Sequence, residues 1–304
     1  MKVAFLLHGR MKGKAAFIKK LYASAADFPS LSIQHFETTH HNHAITLAQE
    51  IVSAQFNYLI AVGGDGTLNQ VINGVSKNES EPKIILGILP RGSGNDFARN
   101  FHGEHQLKNI LQSISNATCK TVDVGKITYA NAAGNEEIRY FINVADAGMG
   151  ADVVLRFNKS NRKWGAQFNF MKAIVQTFLS FKRKQLHVVT PHWQWEGEAM
   201  AIIVANSRFF AGGLGIAPDA KIDDGVLNVT ILGKISVLDY LKNISGLKKL
   251  KYIKHREVHY KSATQIELHA REGYCGLEAD GEFFGFLPAK IELLPLHIRF
   301  LDLV

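Results

Sequence analysis

Residues 3–7 form a short continuous apolar run that stops at Gly9 and Gly13 among lysines, and residues 15–26 continue with the spacing of a helix. The pattern then repeats. Residues 32–36 read as a strand, 44–54 as a helix and 58–62 as a strand; Gly63-Gly64-Asp65-Gly66-Thr67 is a turn, and apolar positions over 68–75 have helical spacing. A further strand over 84–89 ends at Pro90, and a helix is expected to open near Asn95. Strands that are apolar at every position are buried on both faces, and their alternation with helices predicts a parallel sheet between helical layers. From about residue 122 the texture changes. Residues 140–144, 186–189, 199–204, 226–232, 266–268 and 291–293 read as strands, with helices expected only over 165–181 and 237–250. The expected architecture is a three-layer α/β domain over 1–122, then a β-sandwich-like domain with added helices over 123–294. Residues 295–304 are a candidate for return to the first domain.

Composition excludes several classes. The chain has 304 residues, 46% of them hydrophobic and 20% charged, so it can bury a core and has no signature of disorder. No apolar run approaches the roughly 20 residues of a membrane-crossing helix. The first residues lead straight into a strand without the regions of a signal peptide, so secretion is not expected. Cys119 and Cys275, the two cysteines, make no disulfide framework or zinc spacing, which fits a reducing cytoplasm. Thirty-five Lys+Arg against 27 Asp+Glu leave a net charge of +8. Charge of that size suits nucleic acid, an anionic membrane or a phosphorylated small molecule.

The turn after residues 58–62 narrows the choice. Three glycines within four positions, between a buried strand and a helix, let backbone N–H groups approach phosphate oxygens at a helix N-terminus. The turn lacks the Gly-Lys-Ser/Thr ending of a Walker A loop and the Gly-x-Gly-x-x-Gly spacing of a dinucleotide site. Asp65 opposes an anion there unless a cation intervenes; equally, it reads as a helix cap. The next strand ends in Leu89-Pro-Arg-Gly-Ser-Gly-Asn-Asp-Phe-Ala-Arg99, again with glycines, a small hydroxyl residue and a carboxylate. Asn95 and Asp96 are each ordinary caps taken singly. Two such turns at the carboxyl edge of one parallel sheet point instead to a nucleotide polyphosphate with Mg²⁺.

These residues resemble the diacylglycerol kinase catalytic-domain family, the lipid kinases that include diacylglycerol, sphingosine and ceramide kinases and bacterial relatives. Gly63 to Asn69 matches the family's Gly-Gly-Asp-Gly-Thr-Leu-Asn block. Pro90 to Arg99 matches Pro-x-Gly-Thr-x-Asn-Asp-Phe-Ala-Arg, with Ser93 in place of threonine. Pro218 to Leu227 and Glu278-Ala-Asp-Gly-Glu282 extend the likeness through the second domain. At the N-terminus the family's Asn-Pro turn is replaced by His8-Gly9-Arg10-Met11-Lys12-Gly13-Lys14. The resemblance implies an ATP-binding first domain and a lipid-substrate second domain. It implies ATP contacts from Thr38, Gly64, Asp65, Gly66, Thr67, Leu68, Asn69, Gln70, Ser93, Asn95, Asp96 and Arg99. A catalytic Mg²⁺ would be held, partly through water, by Asp65, Asp96 and Asp123, and a structural Mg²⁺ by Asp224 with Lys221 and Val226. Glu282 and Asp280 would share the role of base, with Asp65 also catalytic. The residues themselves leave alternatives: Arg99 with Asp96 is also a plain i,i+3 pair, Asp123 an ordinary strand-flanking residue, and Asp280-Gly281 a strong hairpin signal. His40, His41 and His43 read as solvated surface.

The excess charge has an address. Between Asp152 and Glu196 there is no acidic residue but eight basic ones: Arg156, Lys159, Arg162, Lys163, Lys172, Lys182, Arg183 and Lys184. Trp164, Phe168, Met171, Val175 and Phe178 recur there at helical spacing, a stripe that suits packing as well as a membrane surface. Residues 240–256 add Lys242, Lys248, Lys249, Lys251, Lys254 and Arg256 without an acid. The expectation is a cytoplasmic, peripherally membrane-associated lipid kinase, with diacylglycerol the leading acceptor, an anionic membrane as partner, no nucleic acid, and a homodimer allowed. The rivals are a soluble-metabolite kinase of the NAD kinase type and a non-catalytic lipid-binding protein.

Overall fold

Five consecutive buried residues make the first strand, β1 (Lys2–Leu7), a core element with no solvent-facing side. The computed structural model describes residues 1–77, 83–160 and 165–303 and contains two units, Met1–Asp123 with Pro295–Val304, and Val124–Leu294. In the first unit β1 pairs in parallel with β2 (Ser32–Glu37) on one side and β3 (Tyr58–Gly63) on the other, and β3 pairs in parallel with β4 (Ile85–Pro90). Phe300, near the end of the chain, lies beside Leu86 as a further parallel partner. Val3, Phe5 and Leu7 join one core with Phe17 and Leu21 of α1 (Lys14–Ala25) and Ile110, Leu111 and Ile114 of α4 (Leu107–Ser115). Ala4 and Leu6 are buried on the opposite face, where α2 (His43–Ser53) contacts β1 and packs on α3 (Asp65–Val75). Gly74 permits that packing, since a Cβ there would lie 2.5 Å from the Ile45 carbonyl oxygen. The result is the three-layer arrangement expected from strands without a polar side.

One expected element is different. No α-helix opens at Asn95; a short 3₁₀ turn occupies Phe97–Asn100, and α4 starts only at Leu107. The cause is local. Asn95 has a φ of 52°, outside the right-handed helical region, and its amide folds back to accept from Gly92 N–H and donate to Gly92 O, both at 2.9 Å.

Strand β5 (Cys119–Ala130) leads into the second unit, which contains β6 (Glu136–Phe141), β7 (Val144–Gly148), α5 (Met149–Lys159), α6 (Ala166–Ser180), β8 (Lys184–Val189), β9 (Gln194–Ala199), β10 (Ala201–Ala205), the short β11 (Phe209–Phe210) and β12 (Leu214–Gly215), β13 (Leu227–Leu232), α7 (Val237–Leu247), β14 (Val258–Ala263), β15 (Gln265–Ala270), β16 (Gly276–Ala279), β17 (Glu282–Phe286) and β18 (Ala289–Leu301). One antiparallel sheet has the order β14-β13-β10-β7-β16-β17; facing it are the antiparallel pairs β18-β15-β8-β9 and β5-β6. Ile202, Val204, Leu277 and Ala279 of the first sheet and Leu186, Val188, Ile266 and Ile291 of the second fill the core between them. Ala201, Ile203 and Ala205, pointing the other way, pack with Met149, Val153 and Ile174 under helices. A β-sandwich with added helices follows.

Two expected strands are broken by identifiable bonds. The run 140–144 divides into β6 and β7 because Ile142, Asn143 and Val144 give their N–H groups to the Asp280 carboxylate. The run 199–204 divides at Met200, whose N–H goes to Leu232 O at 2.7 Å and whose O accepts from Met149 N–H at 2.8 Å, so the chain passes from one sheet to the other. Helix α5 and the hairpin β16–β17 are not anticipated by the apolar pattern. Among the described side chains of α6 the buried ones are Asn169, Ala173, Ile174 and Thr177, while Met171 and Phe178 are half-buried and Phe168 is exposed. Arg162, Lys163 and Trp164 lie outside the described residues.

The Phe300 ring contacts Phe97 and Phe101, with centroids 5.3 and 4.8 Å away, and is fully buried. Phe300→Ala is expected to cost about 3–5 kcal/mol by denaturant unfolding.

Candidate active site

The turns after β3 and β4 are joined by backbone. The strands stay in register to Gly63↔Pro90, and Arg91 N–H then donates to Gly63 O at 2.7 Å. Beyond them Gly64 and Gly92 touch: a Cβ on Gly92 would lie 2.5 Å from Gly64 Cα, and one on Gly64 2.9 Å from Gly92 Cα. Both positions therefore require glycine.

Asp65 is the first residue of α3 but does not cap it; the N-cap is Gly64 and no side-chain cap bond forms. Its Oδ1 instead accepts from Phe97 N–H at 3.1 Å, across to the other turn. Its Oδ2 and the Oδ2 of Asp96 face one glycine, lying 3.1 and 3.4 Å from the point where a Gly94 Cβ would sit. The two carboxylates thus converge. Asp96 is buried, and Arg99 Nε approaches its Oδ1 at 3.5 Å, so the i,i+3 pair expected as an alternative is present. Hard oxygen donors in convergence fit a Mg²⁺ ion that keeps several waters.

The other expected contacts divide. Thr38 Oγ1 accepts from Gly9 N–H at 2.9 Å, stitching the loop after β1 to the end of β2. Lys14 in that loop's helix pairs with Glu37 at 2.5 Å. Ser93 is exposed, Gly66 and Gln70 partly so. Thr67 is buried, its Oγ1 turned against Gly63, and Leu68 and Asn69 are completely buried along α3, so those three side chains belong to packing. Asp123 is completely buried in β5 with its Oδ1 accepting from Leu296 N–H at 2.7 Å. It braces the returning chain. Among the described residues no group of three or more His, Cys, Asp or Glu is arranged to hold a metal, so the expected triplet of carboxylates is not preformed. The same holds for His40, His41 and His43, although the rings of His40 and His43 stack at 4.4 Å.

In the second unit Asp280-Gly281 is a two-residue hairpin loop, with Ala279 paired to Glu282 and positive φ at both loop residues, 49° and 83°. The hairpin reading is correct, and it has a further function: Asp280 Oδ1 accepts from Asn143 and Val144 and its Oδ2 from Ile142, each at 3.0 Å, while Asp280 N–H donates to Val144 O at 2.8 Å. The loop is pinned to the start of β7. Glu282, the first residue of β17, is half-buried beside it. In the loop before β13, Asp224 is exposed and its Oδ1 accepts from Val226 N–H at 3.2 Å, with Gly225 at a φ of 72° and Lys221 exposed nearby in sequence. The loop is a turn held by its own carboxylate.

Two acidic residues were not singled out as functional from the sequence. Glu278 faces Asp146 directly across the β16–β7 pair. Burial, and then the Asp146 charge, push the Glu278 carboxyl well above the usual range; burial also lifts Asp146 to about 7, against opposing bonds from Gly150 and Ala151 N–H. The Glu278-Ala-Asp-Gly-Glu282 block contains the only sequence signal for the pair.

An α/β layer ending in carboxylate-bearing glycine turns, followed by an antiparallel sandwich, is the arrangement of two known domain families in succession. The diacylglycerol kinase catalytic domain family matches residues 4–127, and the YegS C-terminal NAD kinase beta sandwich-like domain family matches 143–302. The chain is 29% identical over 256 residues to the diacylglycerol kinase of Staphylococcus saprophyticus subsp. saprophyticus, covering 84% of this chain and 80% of that protein. To that of Staphylococcus haemolyticus it is 28% identical over 264 residues, 87% and 76%. Among solved structures, a candidate diacylglycerol kinase from Bacillus anthracis str. Sterne has a TM-score of 0.77 at 24% identity, over 99% of this chain and 97% of that one. A yeast NADH kinase complexed with NADH has a TM-score of 0.56 at 11% identity, over 100% and 84%. The chain belongs to the family of the YegS C-terminal NAD kinase beta sandwich-like domain, preceded here by a diacylglycerol kinase catalytic domain. It is therefore placed among the phosphotransferases, in a lipid kinase family.

Gly64→Ala forces the two turns apart and is expected to lower stability by about 1–3 kcal/mol; Asn95→Ala, which loses both bonds to Gly92, by about 1 kcal/mol. Urea unfolding of the two proteins measures both.

Proposed function

We propose that this protein is an ATP-dependent lipid kinase that transfers the γ-phosphoryl group to a lipid hydroxyl, with diacylglycerol as acceptor and phosphatidic acid as product. The convergence of Asp65 and Asp96 on Gly94, held by the Gly64–Gly92 contact, is the observation that carries it. Phosphoryl transfer needs little covalent chemistry from a protein; it needs the phosphates positioned, their charge neutralised and the acceptor proton removed. Glycine turns at the carboxyl edge of a parallel sheet position phosphates through backbone N–H groups, and Thr38 and Ser93 add hydroxyls. Asp65 and Asp96 are the residues to hold a Mg²⁺, which when bound supplies the charge neutralisation. Glu282 accepts the hydroxyl proton as the acceptor oxygen forms its bond to phosphorus and the bond to the ADP oxygen breaks. Asp280, saturated by three amides, keeps the turn that bears Glu282 in place.

The acceptor is a membrane lipid, and exposed apolar residues on two helices support docking on a bilayer. Leu179 on α6 is 77% exposed, and Leu238 and Leu241 on α7 are 65% and 47% exposed. α6 and α7 pack together, with the Phe178 and Tyr240 rings 5.3 Å apart. Lys172, Lys182, Lys242, Lys248 and Lys249 around them are partly or fully exposed. Apolar residues rimmed by lysine suit an anionic bilayer, each cation contributing about 1 kcal/mol near its surface.

Purified protein with Mg·ATP and mixed micelles of diacylglycerol is expected to yield labelled phosphatidic acid, and Asp65→Ala and Glu282→Ala each to reduce the rate at least about a thousandfold. Full turnover in both variants overturns the assignment. Lys242→Glu with Lys249→Glu is expected to weaken binding to vesicles containing phosphatidylglycerol and leave binding to neutral vesicles unaltered, read by co-sedimentation at two ionic strengths.

A further inference from the structure

Two acidic side chains face each other where the hairpin bearing Asp280 and Glu282 meets the rest of its sheet. β16 and β7 are antiparallel, and Glu278 is directly opposite Asp146, so their side chains leave the sheet on the same face, about 5 Å apart at Cβ. Their neighbours Ala145, Ala147, Leu277 and Ala279 point into the sandwich core, which puts the two carboxyl groups on the face covered by α5. Each has a defined further bond. Asp146 Oδ1 accepts from Gly150 N–H at 3.1 Å, in the first turn of α5, and Gly150 has no Cβ because one would lie 2.7 Å from Asp146 Cγ. Glu278 Oε2 accepts from Gly281 N–H at 2.9 Å, the loop residue between Asp280 and Glu282.

Two carboxyl groups opposed at that distance, Asp146 buried and Glu278 half-buried, ionise together only at a cost, which favours one proton retained between them. We propose that Glu278 is a positioning residue for the turn that carries Glu282, acting through a proton shared with Asp146 that ties this turn to the N-terminus of α5. The inference rests on the role given to Glu282 above. Asp280 fixes one side of the loop to residues 142–144, and Glu278 fixes the other through Gly281. With the proton present, Glu278 is a neutral acid that receives Gly281 N–H without repelling Asp146, Asp280 or Glu282. Loss of that proton puts a second negative charge among them. The charges that act on the pair include Asp152 of α5 on Asp146, and Asp280 and Glu282 of the hairpin on Glu278; Cys275, whose thiol burial pushes up to about 12, feels Asp146 and Asp152 and, with opposite sign, Lys184. The balance is strongly negative, and it favours retention of the proton.

The sign of the effect on stability follows. Both carboxyls hold protons more tightly in the folded chain than in the unfolded one, so stability from the pair is complete below about pH 4 and declines as pH rises toward 7 and beyond. Thermal unfolding of the full chain between pH 5 and pH 8.5 is the first measurement, because it needs no substrate. Asp146→Asn and Glu278→Gln are each expected to remove part of the wild-type decline in Tm over that range. A slope identical to wild type in both variants overturns the shared proton. The second measurement is turnover with Mg·ATP and diacylglycerol micelles. Glu278→Ala is expected to lower kcat about tenfold or more, with KM for ATP changed less than about twofold. Glu278→Gln is expected to restore most of kcat and to flatten its decline as pH rises through 7 and beyond. Wild-type kcat in Glu278→Ala, or a pH profile for Glu278→Gln equal to wild type, overturns the positioning role. A wild-type protein without lipid kinase turnover overturns the function proposed above instead, and the Tm comparison still decides the pair.

Discussion

The approach of two backbones, Gly64 against Gly92, is the contact on which the first unit's site depends. A parallel sheet delivers every strand's carboxyl end to one edge, but it does not by itself bring consecutive turns together, since strands are spaced about 4.8 Å apart and their loops are free to splay. Here the ladder between β3 and β4 runs to its last pair, Arg91 N–H extends it by one bond, and two glycines close the remaining gap. The side chains follow from that. Asp65 reaches Phe97 N–H only because the turns adjoin, and Asp96 meets it across Gly94 for the same reason. Two carboxylates held so close repel each other, and the Arg99 guanidinium beside Asp96 offsets part of that repulsion.

The second unit uses the same economy with a different device. In place of glycine contact, a single carboxylate gathers three amides. Asp280 takes the N–H groups that the chain exposes as it leaves β6 and before it enters β7, groups that would otherwise be buried without partners. A hairpin loop is usually the freest part of a sheet. This one is tied to the opposite end of a neighbouring strand, which makes the position of Glu282 a property of the sheet rather than of a surface turn.

Much of this was legible in the residues. β1, β3 and β4 are apolar, almost wholly buried runs, because both their faces are covered, and runs such as 58–62 admit few other readings. The glycine runs were legible as turns at the carboxyl ends of their strands, and the late Asp-Gly pair as a hairpin. What escaped was set by individual hydrogen bonds that the apolar pattern does not encode. The division at Met200 depends on Leu232 and Met149, and the short 3₁₀ turn at Phe97 depends on an asparagine bonding to its own loop. Asp146 stands in a stretch of alanines and glycines with no motif around it, so its role emerges only when β16 is laid beside β7. Leu68 and Asn69 belong to a block that reads as a binding turn, yet helical periodicity carries their side chains inward.

The closing residues of the chain have a consequence for how the protein is made. Phe300 fills the space between Phe97 and Phe101, and Asp123 holds Leu296, so the first unit requires residues that are synthesised after the whole of the second. A ribosome that emits the chain from its N-terminus delivers the sandwich complete while the parallel sheet still lacks an edge strand. That edge stays open until the last ten residues emerge, and an open parallel edge is a template for pairing with other chains. The order of the sequence therefore has the α/β layer, begun before the sandwich, completed after it.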